Sequence, residues 1–239
     1  MIKIRYSPNL SKKIRKNKDI RLLVIHYTGM QSKIESVKRL LSPKSKVSCH
    51  YLIDRKGQIL KMAEEKNITW HAGKSRWKNF INLNNNSIGI ELINKGHRFG
   101  YEKFTDLQIN QLIKLCLKLK KRYNIKNSNI VGHSDIAPLR KQDPGEKFPW
   151  KKLKNKGLGV WHNNSKLKLK KINEKKMIDS FFKNLYKFGY RYCDTKKRGK
   201  NDKYLIKAFQ RRFLPKNVTG AIDQKTFIIS HFLANHLKN

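Results

Sequence analysis

The chain has 239 residues, 38% hydrophobic and 10% aromatic, enough to bury a sizeable core and too apolar for a wholly disordered chain. No run of about 18 apolar residues occurs, which excludes a membrane-spanning helix. Lys and Arg outnumber Asp and Glu by 56 to 16, and the excess is spread along the chain rather than gathered into a tail, at +21 through residue 150 and +19 beyond it.

In chain order, the first 20 residues are basic but carry no apolar stretch of the signal-peptide kind. RLLVIHYT (21–28) reads as a buried strand ending in polar residues, and QSKIESVKRLLS (31–42) has apolar residues at helical spacing. CHYLIDRKGQILKMA (49–63) reads as two strands turning at Arg55-Lys56-Gly57, and SIGIELIN (87–94) as another buried strand. Thr105 and Asp106 can cap the long amphipathic run that follows them. NIVGHSDIAP (129–138) reads as a short strand opening into a loop. Strands and helices alternate with a hairpin among them, so the expected class is α/β, a mixed central sheet flanked by helices. Residues 151–172 are lysine-rich without sustained periodicity and read as a basic linker or strap anchored by Trp150 and Trp161. Three helical stretches follow, over 174–188, 202–214 and 223–237, and suggest a small second domain.

Histidines and carboxylates are the groups able to do chemistry. His26 ends the first buried strand, His133 ends a later one, and Asp143 lies ten residues beyond it. No HExxH helix, CxxC pair or GxSxG elbow is present. A metal site therefore requires distant strand ends to converge, which spacing alone does not establish. The three cysteines, Cys49, Cys116 and Cys193, are odd in number and widely spaced, and read as buried thiols rather than a disulfide framework.

The set VIHYT (24–28), SCHYLIDRKGQI (48–59), TWHAGKS (69–75), IGIELIN (88–94) and VGHSDIAPLRKQDPGEKFPW (131–150) resembles the zinc-dependent N-acetylmuramoyl-L-alanine amidases, which share their fold with the peptidoglycan recognition proteins. The resemblance covers roughly residues 20–150, with the blocks in the family's order. It implies one Zn²⁺ held by His26, His133 and Asp143, with a fourth position open for water. It also implies Glu91 as general base and Lys141 as the cation facing the oxyanion. His50 and His71 are placed by resemblance near the groove, with a packed core histidine as the alternative for each; Trp70 and Asn94 are candidates to line it.

FFKNLYKFGY (181–190), YLIKAFQRRFLP (204–215) and TGAIDQKT (219–226) resemble the small three-helix peptidoglycan-binding domain. The expected division is a catalytic domain over 1–150, the strap over 151–172 and a peptidoglycan-binding-like domain over 173–239. Because every named catalytic residue precedes 150, the last segment is expected to be separable. The implied reaction is hydrolysis of the amide between N-acetylmuramic acid and L-alanine, in cell-wall degradation, turnover or recycling, with peptidoglycan or a muropeptide as substrate. The rivals are a non-catalytic peptidoglycan receptor, which would usually lack a metal ligand, and a nucleic-acid binder. The latter rests on charge alone, and 43 Lys against 13 Arg argue against it, because phosphate and base recognition favour the guanidinium fork. No specific nucleic acid is expected. A wall-binding domain favours the cell envelope, periplasm or secretion, with the cytoplasm as the alternative.

Overall fold

The computed structural model describes residues 2–163 and 173–235. Its centre is a six-stranded mixed sheet in the order β1-β5-β4-β9-β3-β10. The strands are β1 (Lys3–Ile4), β3 (Leu22–Tyr27), β4 (Tyr51–Ile53), β5 (Ile59–Lys61), β9 (Ser87–Leu92) and β10 (Ile130–Gly132). Within this sheet the hairpin pair β4–β5 is antiparallel, and the pairs β1–β5, β4–β9, β9–β3 and β3–β10 are parallel. Four short strands lie off this sheet: β2 (Leu10–Ile14) pairs with β6 (Asn67–Thr69), and β7 (Arg76–Trp77) with β8 (Phe80–Ile81).

Strand β3 shows why the sheet is central. Its side chains alternate between two cores, as the two-residue period of a strand requires. Leu23 and Ile25 pack with Leu112, Ile113 and Cys116 of α2 (Asp106–Tyr123). Leu22 and Val24 turn to the opposite face, and His26 follows them there by parity. Helix α2 is capped as its sequence indicates, the Thr105 hydroxyl accepting from the Gln108 amide. Helix α1 (Lys33–Leu41) is capped by Ser32 and packs Val37 and Leu40 onto Leu52 and Met62.

Two segments differ from their sequence reading. After β10 the chain does not open into a loop but turns directly into a four-residue helix, α3 (His133–Ile136). The Asp135 carboxylate caps it by accepting from the Gly132 amide at 2.8 Å. The segment read as a strap begins as helix α4 (Trp150–Asn155), with Trp150 and Leu153 buried beneath a lysine coat. Residues 164–172 of that expected strap lie outside the described residues.

The three C-terminal helices form where the periodicity placed them: α5 (Glu174–Phe188), α6 (Asp202–Phe213) and α7 (Gln224–Asn235). Gln210 ties the α6–α7 loop, donating to the Ala221 carbonyl and accepting from the Gly220 amide. Asp223 accepts from the Thr226 amide and starts α7. This unit does not pack apart from the sheet. Phe181, Phe182, Leu185, Phe209 and Phe213 share one continuous buried cluster with Leu22, Val24, Trp77 and Val131. The aromatic rings of the small helices are part of the core of the sheet's second face.

Candidate metal centre and active site

Three side chains far apart in sequence meet at the carboxyl ends of β3 and β10. His26 comes from the end of β3, His133 from the first turn of α3, and Asp143 from the loop that follows. His26 Nδ1 lies 2.9 Å from His133 Nδ1, and each is 3.0 Å from Asp143 Oδ2. All three are at least 94% buried. The Asp143 loop is tied back to α3, since its carbonyl accepts from the Ser134 amide at 2.8 Å.

The protons on the two imidazoles are fixed from behind. His133 Nε2–H donates to the Ala72 carbonyl at 3.2 Å, which leaves Nδ1 as a bare lone pair. For His26 the chain of bonds is longer. The Ser87 hydroxyl donates to the Leu83 carbonyl, so it accepts from His71 Nε2–H at 3.1 Å. His71 Nδ1 is then the acceptor for His26 Nε2–H at 3.0 Å, and His26 Nδ1 also faces the triangle unprotonated. Burial, then the neighbouring His133, lowers the His26 pKa to about 4, so the neutral ring is its form at neutral pH. Burial pushes the Asp143 carboxyl up, but His133 and His26 outweigh it and hold it well below the ordinary carboxylate range. Two lone pairs and a carboxylate oxygen, aimed at one point with no hydrogen between them, suit a cation. The donor set of two neutral imidazoles and one carboxylate fits zinc with a position left over.

His71 is held in turn by close packing. A Cβ on Gly89 would fall 2.4 Å from its ring, so only glycine in the I-G-I-E strand lets this histidine lie under β9. Its backbone and that of Ala72 donate to Asn84 Oδ1, which anchors the loop. Arg140 braces the same loop through the carbonyls of Ala72 and Lys74.

The cluster opens on a cavity of about 870 Å³. His133, Asp143, Glu91 and Lys141 line it together, with Trp70 and His71 on its wall. Glu91 pairs directly across the β3–β9 ladder from His26, so both side chains leave the same face of the sheet. Its Oε2 is buried with no hydrogen-bond partner. Burial, then the negative charge of Asp143, pushes the Glu91 pKa up to about 8.

His50 and Asn94 are not brought to the cavity. The His50 ring is fully buried, its Nδ1 accepting from the Gly89 amide and its Nε2 facing the Asn67 carbonyl, so its role is packing. The Asn94 side chain holds its own loop, accepting from the Gly96 amide and donating to the Glu102 carbonyl. Sequence reasoning missed Tyr27, Arg39, His97, Arg98, Phe99 and Arg140 on the cavity wall. The arginines carried no signal among 56 cations, while Tyr27 stands beside His26 in the V-I-H-Y-T block and could have been marked.

Comparison with known proteins identifies the family of the chain. The family model described as N-acetylmuramoyl-L-alanine amidase matches residues 16–146. The N-acetylmuramoyl-L-alanine amidase AmiD of Escherichia coli is 35% identical over 232 residues, covering 90% of this chain and 82% of AmiD. The 1,6-anhydro-N-acetylmuramyl-L-alanine amidase AmpD of Haemophilus influenzae is 35% identical over 152 residues, covering 56% of this chain and 80% of AmpD. Among solved structures, AmpDh3 of Pseudomonas aeruginosa superposes with a TM-score of 0.80 at 31% identity, covering 99% of each chain. The complex of E. coli AmiD with anhydro-N-acetylmuramic acid-L-Ala-D-γ-Glu-L-Lys superposes at 0.78 and 31% identity, covering 95% of this chain and 92% of that one. By sequence and by fold, the chain belongs to the N-acetylmuramoyl-L-alanine amidases, hydrolases of the amide joining N-acetylmuramic acid to the L-alanine of the peptidoglycan stem peptide.

Proposed function

We propose that the amidase works as a single-zinc hydrolase with His26, His133 and Asp143 as protein ligands. The observation carrying this reading is the convergence of three acceptor atoms within 3.0 Å, with both imidazole protons engaged on the far side. When bound, zinc supplies a Lewis acid and a water of lowered pKa. Glu91 is the general base: its unpartnered Oε2 accepts the proton of the attacking water and returns it to the leaving amine of L-alanine. Lys141, which lines the same cavity, would supply an ammonium to the charge that develops on the carbonyl oxygen.

The rest of the wall fits a muropeptide. Trp70 and Phe99 offer aromatic faces to a sugar, and Arg39 and Arg98 offer cations to stem-peptide carboxylates. The AmiD and AmpDh3 complexes hold anhydromuramic peptides, which favours a soluble anhydro-muropeptide as one substrate here. Residues 173–239 are read as a peptidoglycan-binding-like domain, on the motif residues Gln210, Gly220, Asp223 and Thr226. That reading supports action in the cell envelope or after secretion; cytoplasmic recycling is the alternative. No described helix is long and apolar enough to cross a membrane.

The deciding experiment is metal analysis joined to a substrate digest. One zinc per chain is expected, with release of anhydro-N-acetylmuramic acid and an intact L-Ala-initiated peptide from anhydro-muropeptide, read by mass spectrometry. Cleavage that persists undiminished in excess chelator refutes the zinc reading.

A further inference from the structure

The G-H-S-D block contributes His133 to the metal cluster, but its aspartate has a separate attachment. Asp135 is 1% exposed, and its carboxylate is fully engaged. Oδ2 accepts from the Gly132 amide at 2.8 Å and from Arg212 Nη1 at 2.5 Å. Oδ1 accepts from the Tyr190 hydroxyl at 2.6 Å. Tyr190 and Arg212 both belong to the C-terminal helical unit, and both are buried. Arg212 also reaches the other side of the β10–α3 junction, where Nη2 donates to the Ile130 carbonyl at 3.0 Å. Its guanidinium lies 4.3 Å over the Trp150 ring, which fixes the plane of the fork.

His133 thus stands between two anchor points, Ile130 behind it and Asp135 ahead of it, and one arginine of the C-terminal unit grips both. Helix α3 has only four residues, too few to hold its own direction by its internal bonds. Ser134, between the two, carries the amide that binds the Asp143 carbonyl. Any rotation of α3 therefore moves two of the three acceptor atoms of the cluster.

We infer that Arg212 and Tyr190 are positioning residues for the metal centre: through Asp135 they hold His133 and Asp143 in ligating geometry, and the C-terminal unit completes the active site in addition to any contact with the wall. The inference rests on the zinc reading above. Outer partners that orient metal ligands typically affect metal affinity ~10–100-fold when removed. A plain ion pair joining two packed units would change stability and leave the metal untouched.

The test is zinc affinity of the full chain, by competition with a chromophoric chelator, beside thermal midpoints and steady-state kinetics. Arg212→Met should weaken zinc binding ~10–100-fold, Arg212→Lys should recover part of the loss, and Tyr190→Phe should cost a smaller factor of ~3–10. At saturating zinc, kcat should fall with KM near the wild-type value, because the groove is intact while the ligands are misplaced. Phe181→Leu, in the same shared core on α5 and in ring contact with Phe182 and Phe209 rather than Tyr190, is the control; it should lower the thermal midpoint and leave the zinc affinity unchanged. If Arg212→Met does not fold, Tyr190→Phe decides alone. Zinc binding within twofold of wild type in the folded variants overturns the inference, and so does an equal loss in Phe181→Leu. A wild-type chain that binds no zinc would instead refute the metal reading, a result distinct from either.

Discussion

Glu91 stands directly opposite His26 in the parallel ladder of β3 and β9, with the two side chains on one face of the sheet. The position of the proposed base relative to the first ligand is therefore set by backbone pairing, with no loop between them. Glu91→Gln keeps the shape and removes the proton acceptor. Turnover should fall ~10²-fold or more, with zinc content and muropeptide binding near wild type. Normal turnover would reassign Glu91 to a structural role.

The same carboxyl predicts a pH effect on the metal-free protein. Its pKa is about 8 when folded against an ordinary value of 4.5, so between those limits the native state keeps a proton that the unfolded chain releases. The contribution of this carboxyl to stability must then fall as pH rises through that window, against the opposite contributions of the buried histidines. Glu91→Gln removes the dependence. The chelated variant should match wild type near pH 4 and exceed it at pH 8 by roughly 2 kcal/mol, less than the full shift because the side chain is partly open to the cavity. Denaturant melts at both pH values check this; parallel curves would count against it.

Each ligand can be tested alone. His26→Ala, His133→Ala and Asp143→Ala should each lose most of the bound zinc and nearly all hydrolysis. The fold should persist, since the cores on both faces of the sheet do not depend on the cluster. Metal analysis with circular dichroism separates the two effects; zinc retained in all three would move the site elsewhere.

His71→Phe keeps a ring in the space under Gly89 and deletes the acceptor for His26 Nε2–H. Zinc affinity should drop ~10–100-fold, as for other orienting partners of a ligating histidine. An unchanged affinity would make His71 a wall residue only.

Lys141→Ala should cost about 3 kcal/mol of transition-state stabilisation, roughly a hundredfold in kcat, if the ammonium meets the oxyanion. A kcat within a few-fold of wild type would leave Lys141 as a solvated lysine on the rim.

The parts of this molecule legible in the sequence are those with a strong local period or a familiar block. Strands β3 and β9 were visible because parallel central strands bury both faces and read as unbroken apolar runs. Helix α3 was not, because four residues carry no period and its cap, Asp135, acts from inside the motif. Helix α4 read as a strap since only Trp150 and Leu153 are buried among its lysines. The dual place of His71, on the wall and behind His26, depends on Gly89 across a strand, a contact between residues 18 apart. Arg212 was one more cation in a basic chain; only burial beside Asp135 distinguishes it.

The loop from Trp70 to Lys74 carries both proton locks: the His71 ring sets His26, and the next carbonyl, that of Ala72, sets His133. Two adjacent residues thus govern two rings, one arriving from β3 and the other from α3. The two rings cannot drift independently, because any backbone adjustment here disturbs both at once. An inserted residue between positions 71 and 72 would be expected to remove metal binding in one step, with no half-competent intermediate, whereas insertions in the 97–100 turn would alter only the rim. Lineages of this chain should accordingly vary at the cavity mouth while this short stretch keeps its length.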